Sequence, residues 1–151
     1  MKKALDIEVR WARKDDGDAW LAMRQALWPE CPDGDHEAEV LQVMASGGGA
    51  FLAMTPLSGP VGFAEVSLRR EHVEGASSSP VAYLEGWFVA PPRRGEGVGR
   101  ALVEAAVGWA RETGASELAS DTELGNEQGQ HAHEGLGFLE VGRSVHYLRR
   151  F

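Results

Sequence analysis

This chain is poor in cysteine, has no long apolar run and carries no excess of basic charge. Cys31 is its one cysteine, which excludes an internal disulfide and a cysteine-based zinc site. It reads as a small, semi-buried thiol. No apolar stretch nears the roughly 20 residues needed to cross a bilayer, and the opening residues lack the apolar core of a signal peptide. A cytoplasmic protein without a membrane partner is the expectation. The histidines at 36, 72, 131, 133 and 146 have no carboxylate at a convincing ligand spacing, so no metal is expected. A formal charge of −8 argues against a nucleic-acid partner, which requires a basic surface, and favours a cationic ligand.

What is present suffices for a core. The chain has 151 residues, 43% of them hydrophobic, which fits one domain over 1–151. Residues 5–11 alternate apolar and polar, as a half-buried strand does. Asp15 or Asp16 is placed to cap a helix in which Trp20, Met23 and Leu27 recur at helical spacing until Pro29. A second amphipathic stretch covers 36–45 and stops at the Gly47-Gly48-Gly49 run. Strands at 50–54 and 61–68 form a hairpin, and an exposed loop at 69–80 precedes a central strand at 81–90. Val98, Leu102, Ala105, Ala106 and Trp109 predict a long helix ended by Gly114. A strand at 117–121, a helix at 126–136 and one or two closing strands at 138–151 complete the reading. This order indicates an α/β or α+β sheet covered by helices.

The segment "RRGEGVGRAL" (93–102) lies between the central strand and the long helix. Backbone N–H groups at a helix start carry partial positive charge and converge on one spot, which suits phosphate. Gly95, Gly97 and Gly99 keep side chains out of the way, while Arg93, Arg94 and Arg100 add charge. The Walker pattern fails because Arg100-Ala101 follows Gly99 where a Lys-Ser/Thr pair is required. The dinucleotide fingerprint fails on spacing and on its late position.

Arg-Gly-x-Gly-x-Gly preceded by Val89-Ala90-Pro91-Pro92 resembles the acetyl-coenzyme A pyrophosphate loop of the GNAT superfamily of N-acetyltransferases. The likeness extends over nearly the whole chain, through Asn126 to Leu136-Gly137-Phe138. It implies a mixed, mostly antiparallel twisted sheet of six to seven strands flanked by about four helices. It also implies acetyl-coenzyme A as cosubstrate. By resemblance the coenzyme is held by Trp87, Phe88, Val89, Arg94, Gly95, Glu96, Gly97, Val98, Gly99, Arg100 and Asn126. Asn126 reads equally well as a helix cap.

"MRQALWPECPD" (23–33), "SSSPVAYLEGWFVAPPRRGEGVGRAL" (77–102), "ELASDTELGN" (117–126) and "HEGLGF" (133–138) are similar to stretches of the aminoglycoside 6′-N-acetyltransferase branch. That branch implies acetyl transfer, by direct attack in a ternary complex, to a primary amine of a polycationic antibiotic, giving resistance. An ammonium ion must lose its proton before it attacks. Glu85, on the face expected to hold Tyr83, Trp87 and Val89, is the candidate to receive it; a buried structural salt bridge is its other reading. Asp121 is a second candidate for holding the amine, or a turn residue. Trp28 walls the aminosugar site by resemblance, or belongs to the core. The departing thiolate needs a proton, and the superfamily's tyrosine is replaced by His133, leaving His133, Tyr147 or solvent as its source. The family suggests a homodimer, with the apolar closing segment around Val145 to Phe151 contributing. Two other functions stay open: acetylation of another small amine or a protein amino group, and a non-catalytic acyl-coenzyme A sensor.

Overall fold

The computed structural model describes residues 6–151, so the first residue of the expected opening strand, Leu5, lies outside them. Strand β1 (Glu8–Trp11) is followed by helices α1 (Gly17–Leu27) and α2 (Asp33–Ala45). Strands β2 (Gly49–Thr55), β3 (Gly59–Arg69) and β4 (Val81–Val89) come next. Then follow α3 (Val98–Glu112), β5 (Leu118–Ser120) and α4 (Glu127–Gly135). The strands lie in sequence order in one five-stranded sheet, antiparallel except where β5 runs parallel to β4.

Helix boundaries follow from local chemistry. Asp16 does not cap α1 with its side chain; its carboxylate instead accepts from the Arg13 N–H at 2.6 Å and pairs with Arg10. Pro29 follows the end of α1, since proline cannot supply the N–H that another turn needs. Helix α3 starts at Gly97, whose φ of +92° few residues other than glycine adopt, and ends before Gly114 at φ +88°.

The sheet separates two apolar layers. On one face Val98, Leu102, Val103 and Ala106 of α3 pack against Ala53, Ala64, Val66 and Leu84. On the other, Trp20 and Met23 of α1 and Val43 of α2 meet Leu52 and Phe63. Burying a side chain of the size of Leu102 or Phe63 contributes about 1.5–3 kcal/mol.

Two expectations need correction. Residues 138–151 form no closing strands, so the described sheet has five strands rather than six or seven. A strand exists only by pairing, and this segment pairs with no strand among the described residues. Its apolar residues Leu139, Val141, Val145, Tyr147, Leu148 and Phe151 consequently stand exposed. Secondly, Glu85 does not share a face with Trp87 and Val89. Gly86 pairs with Glu65 and Leu84 with Val66, so Glu85 is the extra residue of a β-bulge. The bulge resets the alternation: Leu84, Trp87 and Val89 all meet the α3 layer, while Glu85 turns toward Ser67 and Arg69 on β3.

Candidate functional site

Two cavities flank the C-terminal half of β4. The first is a groove of about 320 Å³ lined by Trp87, Phe88, Val89, Arg94, Gly95, Gly99, Asn126 and neighbours from α4. Pairing between β4 and β5 covers only Ala82–Leu84 against Leu118–Ser120. Beyond Leu84, that edge of β4 has no strand beside it among the described residues, and the groove occupies the gap.

The glycine loop closes one end of this groove. Gly95 and Gly97 have φ of +81° and +92°, so glycine is demanded there by backbone conformation. Gly99 is favoured for a different reason, close packing. A Cβ at that position would come within 3.1 Å of the Trp87 ring, whose Nε1 donates to Gly99 O at 3.2 Å. No side chain caps the start of α3, which leaves its first N–H groups available to an anion. Arg94, which donates to Val89 O at 2.9 Å, and Arg93, which is paired with Glu96 at 2.5 Å, both line the groove. Val98 is buried in the α3 layer, so its side chain serves the core and only its backbone faces the loop. Arg100 is exposed and outside the groove lining. Asn126 fulfils both readings: its side chain accepts from Gly129 N at 2.9 Å as the cap of α4, and it lines the groove.

The second cavity, about 430 Å³, opens on the α1 and α2 side and is lined by Trp28, Glu39, Glu65, Ser67, Arg69 and Glu85 among others. Three carboxylates converge here with two arginines. Arg24, 1% exposed, donates through Nε to His36 Nδ1 at 3.2 Å, through Nη1 to Glu65 and through Nη2 to Glu39. Trp20 Nε1 also donates to Glu65, at 3.0 Å. Burial pushes the Glu65 carboxyl above its usual range against the opposing pull of Arg24 and Trp20. Cys31, His36 and Glu39 place donor atoms within 4.8 Å of one another, but Arg24 already occupies His36 Nδ1 and the Glu39 carboxylate.

Glu85 accepts three hydrogen bonds: from Ser67 Oγ at 2.7 Å, from Arg69 Nε at 2.7 Å and from Arg69 Nη2 at 2.6 Å. The Arg69 guanidinium also stacks 3.4 Å from the centre of the Tyr83 ring. Tyr83 donates its hydroxyl to Asp121, and burial followed by this bond raises the phenol's pKa above its ordinary value. Glu85 on β4 and Asp121, just past the end of β5, are therefore joined through Arg69 and Tyr83. Trp28 fills the space left by Gly86, where a Cβ would lie 2.5 Å from its ring, and it stacks under the Arg24 guanidinium at 4.6 Å. It is at once wall and core.

The acid candidates are placed less favourably. His133 has both ring nitrogens engaged, Nδ1 with Gly129 O at 2.7 Å and Nε2 with Ser120 Oγ at 2.7 Å, and its ring packs against Trp87 and Phe138. A carbonyl on Nδ1 requires the proton there, so the neutral ring accepts from Ser120 at Nε2. Tyr147 is 92% exposed on the terminal segment and lines neither cavity. Sequence reasoning passed over Arg24, Glu65 and Arg69, whereas Glu39 belongs to the acidic run Glu30, Asp33, Asp35, Glu37 and Glu39, which reads either as a solvated face or as an attraction for a polycation. Signals did exist: Arg24 follows Trp20 by one helical turn on the apolar face, and Glu65 interrupts the apolar β3.

The acetyltransferase (GNAT) family profile matches residues 18–138. The chain belongs to that family. Its relatives include aminoglycoside N(6′)-acetyltransferases type 1 of Stenotrophomonas maltophilia, 44% identical over 92% of this chain and 90% of that protein. The Serratia marcescens enzyme of the same name is 45% identical over 89% of this chain and 93% of its own length. Among solved structures, the aminoglycoside acetyltransferase AAC(6′)-Iy in complex with a coenzyme A bisubstrate analogue superposes with a TM-score of 0.87 at 36% identity, covering 96% of this chain and 99% of that one. The GNAT fold is thereby shown, with its mixed sheet and four helices.

Proposed function

We propose that this chain is an aminoglycoside 6′-N-acetyltransferase that moves an acetyl group from acetyl-coenzyme A to a primary amine of the antibiotic by direct attack in a ternary complex. The observation that carries the reading is that β4 contributes to both an open, carboxylate-lined cavity, through Glu85 at its bulge, and a glycine-loop groove, through Trp87 to Val89. The relatives named above act on such substrates or bind coenzyme A, by their names.

In this reading the loop at 94–100 and the start of α3 hold the coenzyme's pyrophosphate, and the free edge of β4 near Trp87 to Val89 takes the pantetheine arm. The acidic cavity takes the polycation, against Trp28. Glu85 and Asp121 hold ammonium groups, and Glu85 receives the proton that the amine must shed before attacking the thioester carbonyl. Backbone groups of β4 polarise that carbonyl. The thiolate is a good leaving group, and solvent suffices to protonate it where His133 is already engaged on both nitrogens. We place the enzyme in the cytoplasm, where acetyl-coenzyme A is available, as one domain over residues 1–151.

We further propose a homodimer built on residues 139–151. Leu139, Val145, Tyr147 and Phe151 stand largely exposed among the described residues and offer apolar surface to a second copy. Removing residues 139–151 is expected to convert a dimer to a monomer in sedimentation equilibrium; a full-length chain with the mass of one protomer contradicts it.

Purified protein mixed with acetyl-coenzyme A and kanamycin should release thiol rapidly and yield a product one acetyl group heavier. Release only with spermidine or a protein amine would favour a different acceptor, and coenzyme binding without turnover would favour a sensor.

A further inference from the structure

We infer that Arg69 is an internal stand-in for the substrate's ammonium group, occupying Glu85 in the free enzyme and yielding it when the polycation binds. The inference rests on the assignment of the acidic cavity to a cationic amine. The two arginines of that cavity are held in contrasting ways. Arg24 is 1% exposed and spends nitrogens on three separate acceptors, His36, Glu65 and Glu39. It cannot leave without stranding a buried carboxylate, so it belongs to the scaffold. Arg69 has a side chain 41% exposed, and Glu85 is the one acceptor its guanidinium bonds among the described residues.

Its remaining contact is the face of Tyr83, a contact a cation makes and breaks at little cost. Arg69 sits on the last residue of β3, next to the loop at 70–80, so its side chain can swing toward solvent without moving the sheet. Its guanidinium lies at the junction between Glu85 and the Tyr83–Asp121 pair, and it lines the cavity itself. An incoming ammonium group needs the very carboxylate oxygens that Arg69 Nε and Nη2 occupy. Once the guanidinium turns away, Glu85 retains the Ser67 hydroxyl at 2.7 Å as the contact that keeps it aimed. Arg69 is therefore a specificity-determining residue. A monocation competes poorly with the bidentate fork, whereas a ligand presenting several ammonium groups replaces it and engages the other carboxylates as well.

The test is calorimetric titration of kanamycin and of acetyl-coenzyme A into the wild-type protein, Arg69→Met, Arg69→Gln, Glu85→Gln and the double variant Arg69→Met with Glu85→Gln. Removal of the competing cation should tighten kanamycin binding about two- to fivefold, the range for a partly exposed ion pair, in both neutral Arg69 variants. Acetyl-coenzyme A affinity should stay unchanged, and the gain should vanish when Glu85 is also replaced. Wild-type binding that is equal to, or tighter than, binding by the Arg69 variants would overturn the inference alone, showing that Arg69 merely positions Glu85. Absence of kanamycin binding in every protein would overturn both the inference and the assignment of the cavity.

Discussion

The groove and the acidic cavity adjoin the same strand end, yet they are assembled in opposite ways. The groove is made largely from consecutive residues, Trp87 to Gly99, with Asn126 and its neighbours closing the far wall. Its geometry comes from backbone: two left-handed glycines, an uncapped helix start and a strand edge with no partner. The acidic cavity gathers side chains from Trp28 just after α1, from α2, β3 and β4, and its geometry comes from ion pairs. Anion binding by main-chain groups is fixed as soon as the loop folds. Cation binding by carboxylates depends on the whole tertiary structure and on which internal cations already hold them.

This contrast can be broken first at Arg24, where the largest effect is expected. Arg24→Met leaves Glu65 buried without its partner and should cost about 3–5 kcal/mol of stability, read by urea unfolding. A change below about 1 kcal/mol would mean that the cavity does not depend on this pair. A smaller and more selective effect is expected at the loop. Gly97→Val forces a branched residue to φ +92°, a strain of about 1–2 kcal/mol or more, which should weaken acetyl-coenzyme A about tenfold in a binding titration while the folded protein persists.

The same contrast explains what could be read before the structure was in hand. The glycine loop, the amphipathic α3 and the hairpin of β2 and β3 depend on near neighbours, and their residues announce them by spacing. The bulge at Glu85 does not, because the register of β3 against β4 is set by pairing along both strands and leaves no mark on either alone. Glu65 and Arg69 are marked in the sequence only as charged residues of β3, and only the fold shows that both line one cavity, Glu65 held by Arg24 and Trp20 and Arg69 paired with Glu85. The closing segment misled because alternation signals a strand's readiness to pair without supplying a partner. Residues 138–151 carry Val145, Tyr147 and Phe151, and no strand lies beside them among the described residues.

The central claim is that the two cavities bind separate halves of one reaction. Its most direct test is a pair of calorimetric titrations, acetyl-coenzyme A and kanamycin, against the wild-type protein, Gly97→Val and Glu85→Gln. Gly97→Val is expected to weaken the coenzyme and spare the aminoglycoside, while Glu85→Gln weakens the aminoglycoside and leaves the coenzyme nearly intact. Equal losses for both ligands in either variant, or unchanged kanamycin affinity in Glu85→Gln, would contradict it.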